Sequence, residues 1–409
     1  VRGHVATVNL DEDDAHVWRV ALLARQLVPI EPPGPMSVPV AQFTETGIQV
    51  VTLDFDSPEA LQSAEFGRDL IIAGACPLRY DGDTVAELGF HTAPDGSVAL
   101  TGTPGGAGAM TASSSYLYLF NYEERDASGE IHPGPMSIPV VVALGASDSS
   151  VAFAIPTYRL TSKRRVTIGV WRSVADDQSD DPLLYRVTSL DPGATTGDNA
   201  FLVSLPTVDT VAFTDAMSDA NLITKERAYT NSGVLSNDPI GLGHVVCASK
   251  DRQFFSDPTD PAIVRFTQAR RDGYGPEVAA DLSTRVVTAP VTALAVLDDA
   301  VLAFSPGAVC YFAGPGPLAN PDLAPQIGFS PPTIITGDVG CISAKSLAVT
   351  ADRLLFQSAR GIQQIDRARQ VGYVGAPVEA YNAQRIVSAD AVPGKTQVIF
   401  LTDDPGGLS

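Results

Sequence analysis

His244-Val-Val-Cys-Ala-Ser-Lys-Asp251-Arg-Gln-Phe-Phe-Ser256 reads as an apolar strand, a charged turn and a second apolar strand, and the phrase returns three times. Ala293-Leu-Ala-Val-Leu-Asp-Asp299-Ala-Val-Leu-Ala-Phe-Ser305 and Ser346-Leu-Ala-Val-Thr-Ala-Asp352-Arg-Leu-Leu-Phe-Gln-Ser358 are close copies. Ile386-Val-Ser-Ala-Asp-Ala-Val-Pro-Gly-Lys395-Thr-Gln-Val-Ile-Phe-Leu401 is a looser one. The turn residues Asp251, Asp299, Asp352 and Lys395 are 48, 53 and 43 positions apart. A period of about 40 to 50 residues built from short strands predicts the blades of a β-propeller, small sheets that bury their faces only against one another. An ordinary β-sandwich with fortuitous repetition is the alternative reading of the same strands.

The middle copies extend beyond one hairpin. Val301–Phe304 runs into Ser305-Pro306-Gly307 and then Val309–Phe312; Leu354–Phe356 runs into Ser358-Ala359-Arg360-Gly361 and then Ile362–Ile365. Glycine after a small polar residue supplies the positive φ of a tight reversal, so each unit is a meander of at least three strands.

Composition agrees with an all-β chain. The 409 residues are 44% hydrophobic and 18% charged, which describes packed globular structure, and 35 Gly with 31 Pro favour turns over helices. Only Ser57–Ala64 and the region Asp215–Glu226 have helical character, and the longest apolar run, Ile138–Leu144, is too short to span a bilayer. The net charge of −20 argues against a surface that grips nucleic acid by its phosphates; an acidic wall that repels DNA and an acidic surface that only aids solubility both stay open. Cys76, Cys247, Cys310 and Cys341 are widely spaced and read as buried small hydrophobes, with no metal or redox pairing.

From the start of the chain, Val5–Leu10 and His16–Leu22 form a hairpin around Asp11-Glu-Asp-Asp14. Pro33-Gly-Pro-Met-Ser-Val-Pro-Val40 recurs as Pro133-Gly-Pro-Met-Ser-Ile-Pro-Val140, and each copy is expected to bend into an edge strand because proline cannot donate to a sheet ladder. Gly67–Gly74, Leu78–Gly82 and Thr84–Phe90 make an early blade with Asp81-Gly82 as a hairpin turn. Its distance from the later blades requires an insert. After the glycine-rich Gly102–Gly108, the alternating Tyr116–Tyr122, the turn Asp126–Glu130, and strands at Val151–Ile155, Val166–Arg172 and Leu183–Thr188 supply it. These strands, with Val166–Ser173 in particular, resemble a fibronectin type III module. The expected division is 1–109 for the hairpin and first blades, 110–215 for the fibronectin-like sandwich, and 216–409 for the remaining blades.

The combination resembles the tail nozzle, or tail tubular protein B, family of short-tailed bacteriophages. The resemblance lies in Leu78-Arg-Tyr-Asp-Gly82, Glu87-Leu-Gly-Phe90, the segment Tyr116–Pro135, Asp251-Arg-Gln-Phe-Phe-Ser256 and Val339-Gly-Cys-Ile-Ser343. It covers most of Gly67–Leu401 as short phrases, while residues 1–66 match poorly. It implies a structural, non-enzymatic virion protein: a ring, six-fold by the resemblance, that forms part of the tail wall between an adaptor above and fibre or tip proteins, with double-stranded DNA passing without specific binding. Some of Asp11–Asp14, Asp176–Asp181 or Asp257–Asp260 would then face the channel. The alternative function is an extracellular propeller that binds or cleaves glycans and carries a fibronectin-like accessory module. No catalytic, cofactor or metal residue is expected under the first reading. His4, His16, His91, His132 and His244 are isolated, and the acidic pairs beginning at Asp13, Glu123, Asp176, Asp180, Asp298 and Asp403 read as solvated turn charge. At the carboxyl end, Thr396–Leu401 is a strand whose partner is expected either from a continuing polypeptide or from the amino-terminal hairpin.

Overall fold

The computed structural model describes residues 3–9, 17–24 and 49–54 as backbone strands. It also describes residues 62–403 apart from 74–76, 83, 95–106, 160, 178, 180–181, 195–198, 206, 229–242, 244, 250, 258, 271–272, 279–282, 286–288, 317–327 and 393–396. The chain is almost entirely β. β1 (Gly3–Asn9), β2 (Val17–Ala24) and β3 (Gln49–Asp54) form one antiparallel meander. β4 (Ser63–Phe66), β5 (Asp69–Ile72), β6 (Leu78–Tyr80) and β7 (Val85–Glu87) form the next. Ser63 and Ala64, read as helical from sequence, are therefore strand residues: the run is too short and too close to the Gly67-Arg68 turn to close a helical one.

β8 (Ser115–Arg125), β9 (Ile131–Pro133), β10 (Val140–Ala143), β12 (Val166–Arg172) and β13 (Tyr185–Arg186) share one sheet; β11 (Val151–Pro156) pairs with β14 (Thr210–Asp215) in a second. Alternate residues of β8, namely Tyr116, Tyr118, Phe120 and Tyr122, meet Phe153 and Ile155 of β11 and Phe213 of β14 in one apolar core, so the two sheets form a sandwich. The Pro133–Val140 segment does bend into an edge strand: β10 is outermost in its sheet, and Ser137 holds the bend to β8 through Phe120. Its earlier copy, 33–40, lies outside the described residues. Of the second helical region only α1 (Asp219–Leu222) is helical, capped by Ser218.

Three four-stranded meanders follow. They are β15 (Val246–Ala248), β16 (Gln253–Ser256), β17 (Ile263–Phe266) and β18 (Ser283–Arg285); β19 (Ala293–Leu297), β20 (Ala300–Phe304), β21 (Val309–Ala313) and β22 (Thr333–Thr336); and β23 (Ala348–Val349), β24 (Arg353–Ser358), β25 (Gly361–Asp366) and β26 (Val371–Tyr373). β27 (Arg385–Ala391) and β28 (Val398–Asp403) make a final hairpin. All four sequence phrases are thus the first hairpins of consecutive sheets. Among the described strands β28 pairs with β27 alone, and β1 with β2 alone.

The sheets are stacked as propeller blades. The first strands lie side by side in the order β4, β15, β19, β23, β27, and alternate residues of each sheet enter opposite interfaces. On β20, Val301 and Ala303 join Phe254 and Phe312 in one core, whereas Ala300, Leu302 and Phe304 join Leu354, Phe356 and Ile365 in the next. Phe255 and Val246 turn the other way, onto Phe66 and Ile71 of the β4–β7 sheet. Burial on both faces explains why these strands read as continuous apolar runs. The tight turns are equally local: Asp298 adopts φ 54° between paired Leu297 and Ala300, a conformation that aspartate tolerates better than most residues.

Candidate functional site

The sandwich is fixed to the β4–β7 blade by charge. At the end of β8, successive side chains diverge, so Glu123 and Glu124 point to opposite faces. Glu124 meets Arg79 from β6 (Nη2 2.8 Å) and Lys163 from the loop before β12 (Nζ 3.1 Å). Lys163 also lies 3.9 Å from Glu87 on β7. Just beyond β8, Asp126 closes a turn by accepting the Glu130 N–H at Oδ1, which leaves Oδ2 to His132 Nε2 at 3.0 Å. Asp69, the first residue of β5, brings Oδ2 to 3.9 Å from the same nitrogen, and Arg79 Nη1 lies 3.4 Å from Asp69 Oδ2 and 3.5 Å from Asp126 Oδ2. All seven residues are buried or nearly so.

Electrostatics divide the acids. Burial pushes the Asp69 carboxyl above its usual range, and Arg79 and His132 only partly offset this. Burial acts in the same direction on Glu87 and Asp126, but Lys163 with Ser162 and Thr161 brings Glu87 below its ordinary value, and His132 with Arg79 does so for Asp126. Asp69 Oδ1 is buried without a hydrogen-bond partner.

On the other face Glu123 receives a two-pronged contact from Arg186, whose guanidinium lies over the Trp171 ring at 4.9 Å, while Trp171 Nε1 donates to Asn121 at 2.9 Å. The adjoining cleft, lined by Met136, Trp171, Glu226, Tyr274 and Glu277 among others, has a volume of ≈ 10 Å³, room for a water molecule and no larger ligand. Tyr274 donates to Glu226, and the backbone of Ile131 bonds to Gly273 and Gly275, so the sandwich also touches the blade that begins at β15. Deeper inside, Arg172 is fully buried against Asp215 (2.9 Å), Asp219 (3.1 Å) and the Met217 carbonyl (2.9 Å), and Tyr118 donates to Asp215 at 2.7 Å.

These placements correct one sequence expectation. Glu123-Glu124 is not solvated turn charge: both are buried in β8, because arginines and a lysine from other elements neutralise them. Of the acids expected near a channel, Asp257 is itself buried. It caps its own turn through Thr259 and Asp260 and pairs with Arg265, with its side chain 3% exposed. Asp176 and Asp177 hold a sandwich turn, through Ser115 and through Ser179 and Leu183, while Asp298 is half-exposed at its hairpin. Asp11–Asp14, Asp180, Asp181, His16 and His244 lie outside the described residues. His132 is the histidine the sequence undervalued; the only hint was its place six positions after Asp126, across a turn. Cys247, Cys310 and Cys341 are buried free thiols, as read from sequence, while Cys76 lies outside the described residues. No helix among the described residues is long and apolar enough to cross a membrane.

No family model matches the chain, and no curated protein matches it. Among solved structures it is similar to the PQQ-bound aldose sugar dehydrogenase of Streptomyces coelicolor. That likeness has 12% identity and a TM-score of 0.19, over 74% of this chain and 89% of the other. A likeness of that size carries no argument about fold or activity.

Proposed function

We propose that the chain is a structural, non-enzymatic component of a short bacteriophage tail, a nozzle subunit whose propeller blades build the tube wall and whose sandwich is a fibronectin type III-like insert. The observation that carries this reading is where the resembling phrases fall. Arg79 and Glu87 belong to the ionic junction, and Phe90 packs on Tyr158 at 5.0 Å in the sandwich core. Phe254 and Phe255 enter two blade interfaces. Gly340 is wedged where an added Cβ would meet the Ser305 carbonyl oxygen at 1.9 Å. These residues are joints between structural units, which suits a protein whose work is to hold shape under load.

In this reading six copies close into a ring, since closed symmetry ends head-to-tail growth. An adaptor and fibre or tip proteins are its partners. The net charge of −20 keeps phosphate from adhering as DNA passes. Native mass spectrometry and electron microscopy of the purified chain, alone and with a tail adaptor, test it. Six-fold rings that stack on the adaptor support it; a protein that is monomeric under all these conditions refutes it. The competing reading, an extracellular propeller acting on glycans, gains if the chain turns over a polysaccharide panel and one carboxylate replacement abolishes that turnover.

A further inference from the structure

We infer that Asp69, Asp126 and His132 form a binding site for one divalent transition-metal ion, which bolts the sandwich to the β4–β7 blade. The ligating atoms of the three residues all lie within 4.8 Å of one another. Two of their separations are 3.0 Å and 3.9 Å, bracketing the roughly 3.3 Å expected between ligands about 2.05 Å from a tetrahedral Zn²⁺. Two carboxylates and an imidazole suit Zn²⁺ and are open to Mn²⁺ as a spectroscopic substitute, whereas Ca²⁺ takes a larger, all-oxygen ligand set.

Three further observations point to an ion. Asp69 is 8% exposed, yet its Oδ1 has no partner, an uncommon state for a buried carboxylate oxygen. The junction also holds an excess of carboxylates: Asp69, Glu87, Glu124 and Asp126 face the two permanent cations Arg79 and Lys163. A divalent ion would offset that excess. Arg79, whose Nη1 contacts to Asp69 and Asp126 are long, is placed as an outer partner that orients ligating carboxylates. The imidazole is kept in place by Gly275, where an added Cβ would fall 2.1 Å from His132 Nδ1.

The site is distinct from any function assigned to the chain and can be tested without it. The full chain is stripped with chelator, dialysed, and titrated calorimetrically with Zn²⁺ and with Mn²⁺ at pH 7, and metal is counted by mass spectrometry. One ion per chain is expected, with an unfolding midpoint that rises with added metal. The Mn²⁺ form should give an electron spin-echo signal from one directly bonded imidazole nitrogen. Asp69→Asn and His132→Gln should each weaken binding at least tenfold, and the nitrogen signal should vanish in His132→Gln while circular dichroism stays native. If the stripped chain takes up neither ion, or if both folded variants bind as the parent does, the inference is wrong. If either variant fails to fold, the nitrogen signal of the parent decides: a Mn²⁺ form without it overturns the assignment.

Discussion

Replacing Arg172 by methionine should destabilise the sandwich. The methionine retains much of the arginine stem's contact with the Tyr116 ring, over which the guanidinium sits at 4.9 Å, so the change is chiefly electrostatic. Asp215, fully buried, would keep the Tyr118 hydroxyl and the Met217 N–H but lose its counter-charge. Removing one partner of such a pair costs about 3 to 5 kcal/mol, and the two surviving hydrogen bonds place this case near about 3 kcal/mol. Arg172→Met combined with Asp215→Asn removes both charges and should recover more than half of that loss. Urea unfolding followed by Trp171 fluorescence in a Trp18→Phe background reports on this region, because Trp171 is the neighbouring residue on β12. A single variant weakened by less than about 1 kcal/mol would refute the reasoning, as would a double variant no more stable than the single.

Phe304→Ala should destabilise the chain by about 3 to 5 kcal/mol, since the ring is completely buried between blades and lies 5.1 Å from Phe356; thermal unfolding of the variant checks it. Asp257 is held at about 2, because the Asp260 and Thr259 N–H groups, the Thr259 hydroxyl and Arg265 together outweigh the upward push of burial. A depressed folded value stabilises above the ordinary aspartate pKa and is lost as pH falls through it. Asp257→Asn should therefore cost about 2 kcal/mol at pH 6 and almost nothing near pH 2, a difference read by denaturant titration at both pH values. Gly340→Ala should lower the unfolding midpoint clearly, because the clash is with backbone, whereas alanine at the open Gly307 should change it little. Cys310 and Cys341, whose thiols burial pushes up to about 11, should resist alkylation mapped by mass spectrometry until the blades unfold.

The blades were legible because two physical signals coincided in them. A strand buried on both faces has to be apolar throughout, as Ala293–Leu297 and Ala300–Phe304 are, and the reversal between them needs a residue such as Asp298 that accepts positive φ. The fourth strands were not legible. β22 is Thr333-Ile-Ile-Thr336, half-exposed on the outer rim and shifted in register against β21, so its sequence carries little periodic signal. The ionic junction was hidden for a different reason. Its pairings join residues far apart in the chain, 47 positions for Arg79 with Asp126 and 63 for Arg186 with Glu123, and a glutamate within a strand ordinarily marks the solvent face. Arg79, Arg172 and Arg186 within apolar strands were the available sign that something acidic had to be buried opposite them.

The neighbouring positions of β4 and β15 set a timetable for synthesis. Gln62 accepts a hydrogen bond from Val246 across 184 residues, so the β4–β7 blade leaves the ribosome long before its mate exists. At about 5 to 20 residues per second, that interval lasts roughly 10 to 40 seconds. Throughout it, Phe66, Ile71 and Ala73 have no blade to lie against, while Glu124, Asp126 and Lys163 arrive well ahead of Val246. The sandwich can therefore dock on the first blade through Arg79 and Glu87 while the rest of the chain is still being made, so that one side of the blade is fixed early and only the face toward β15 waits for its partner.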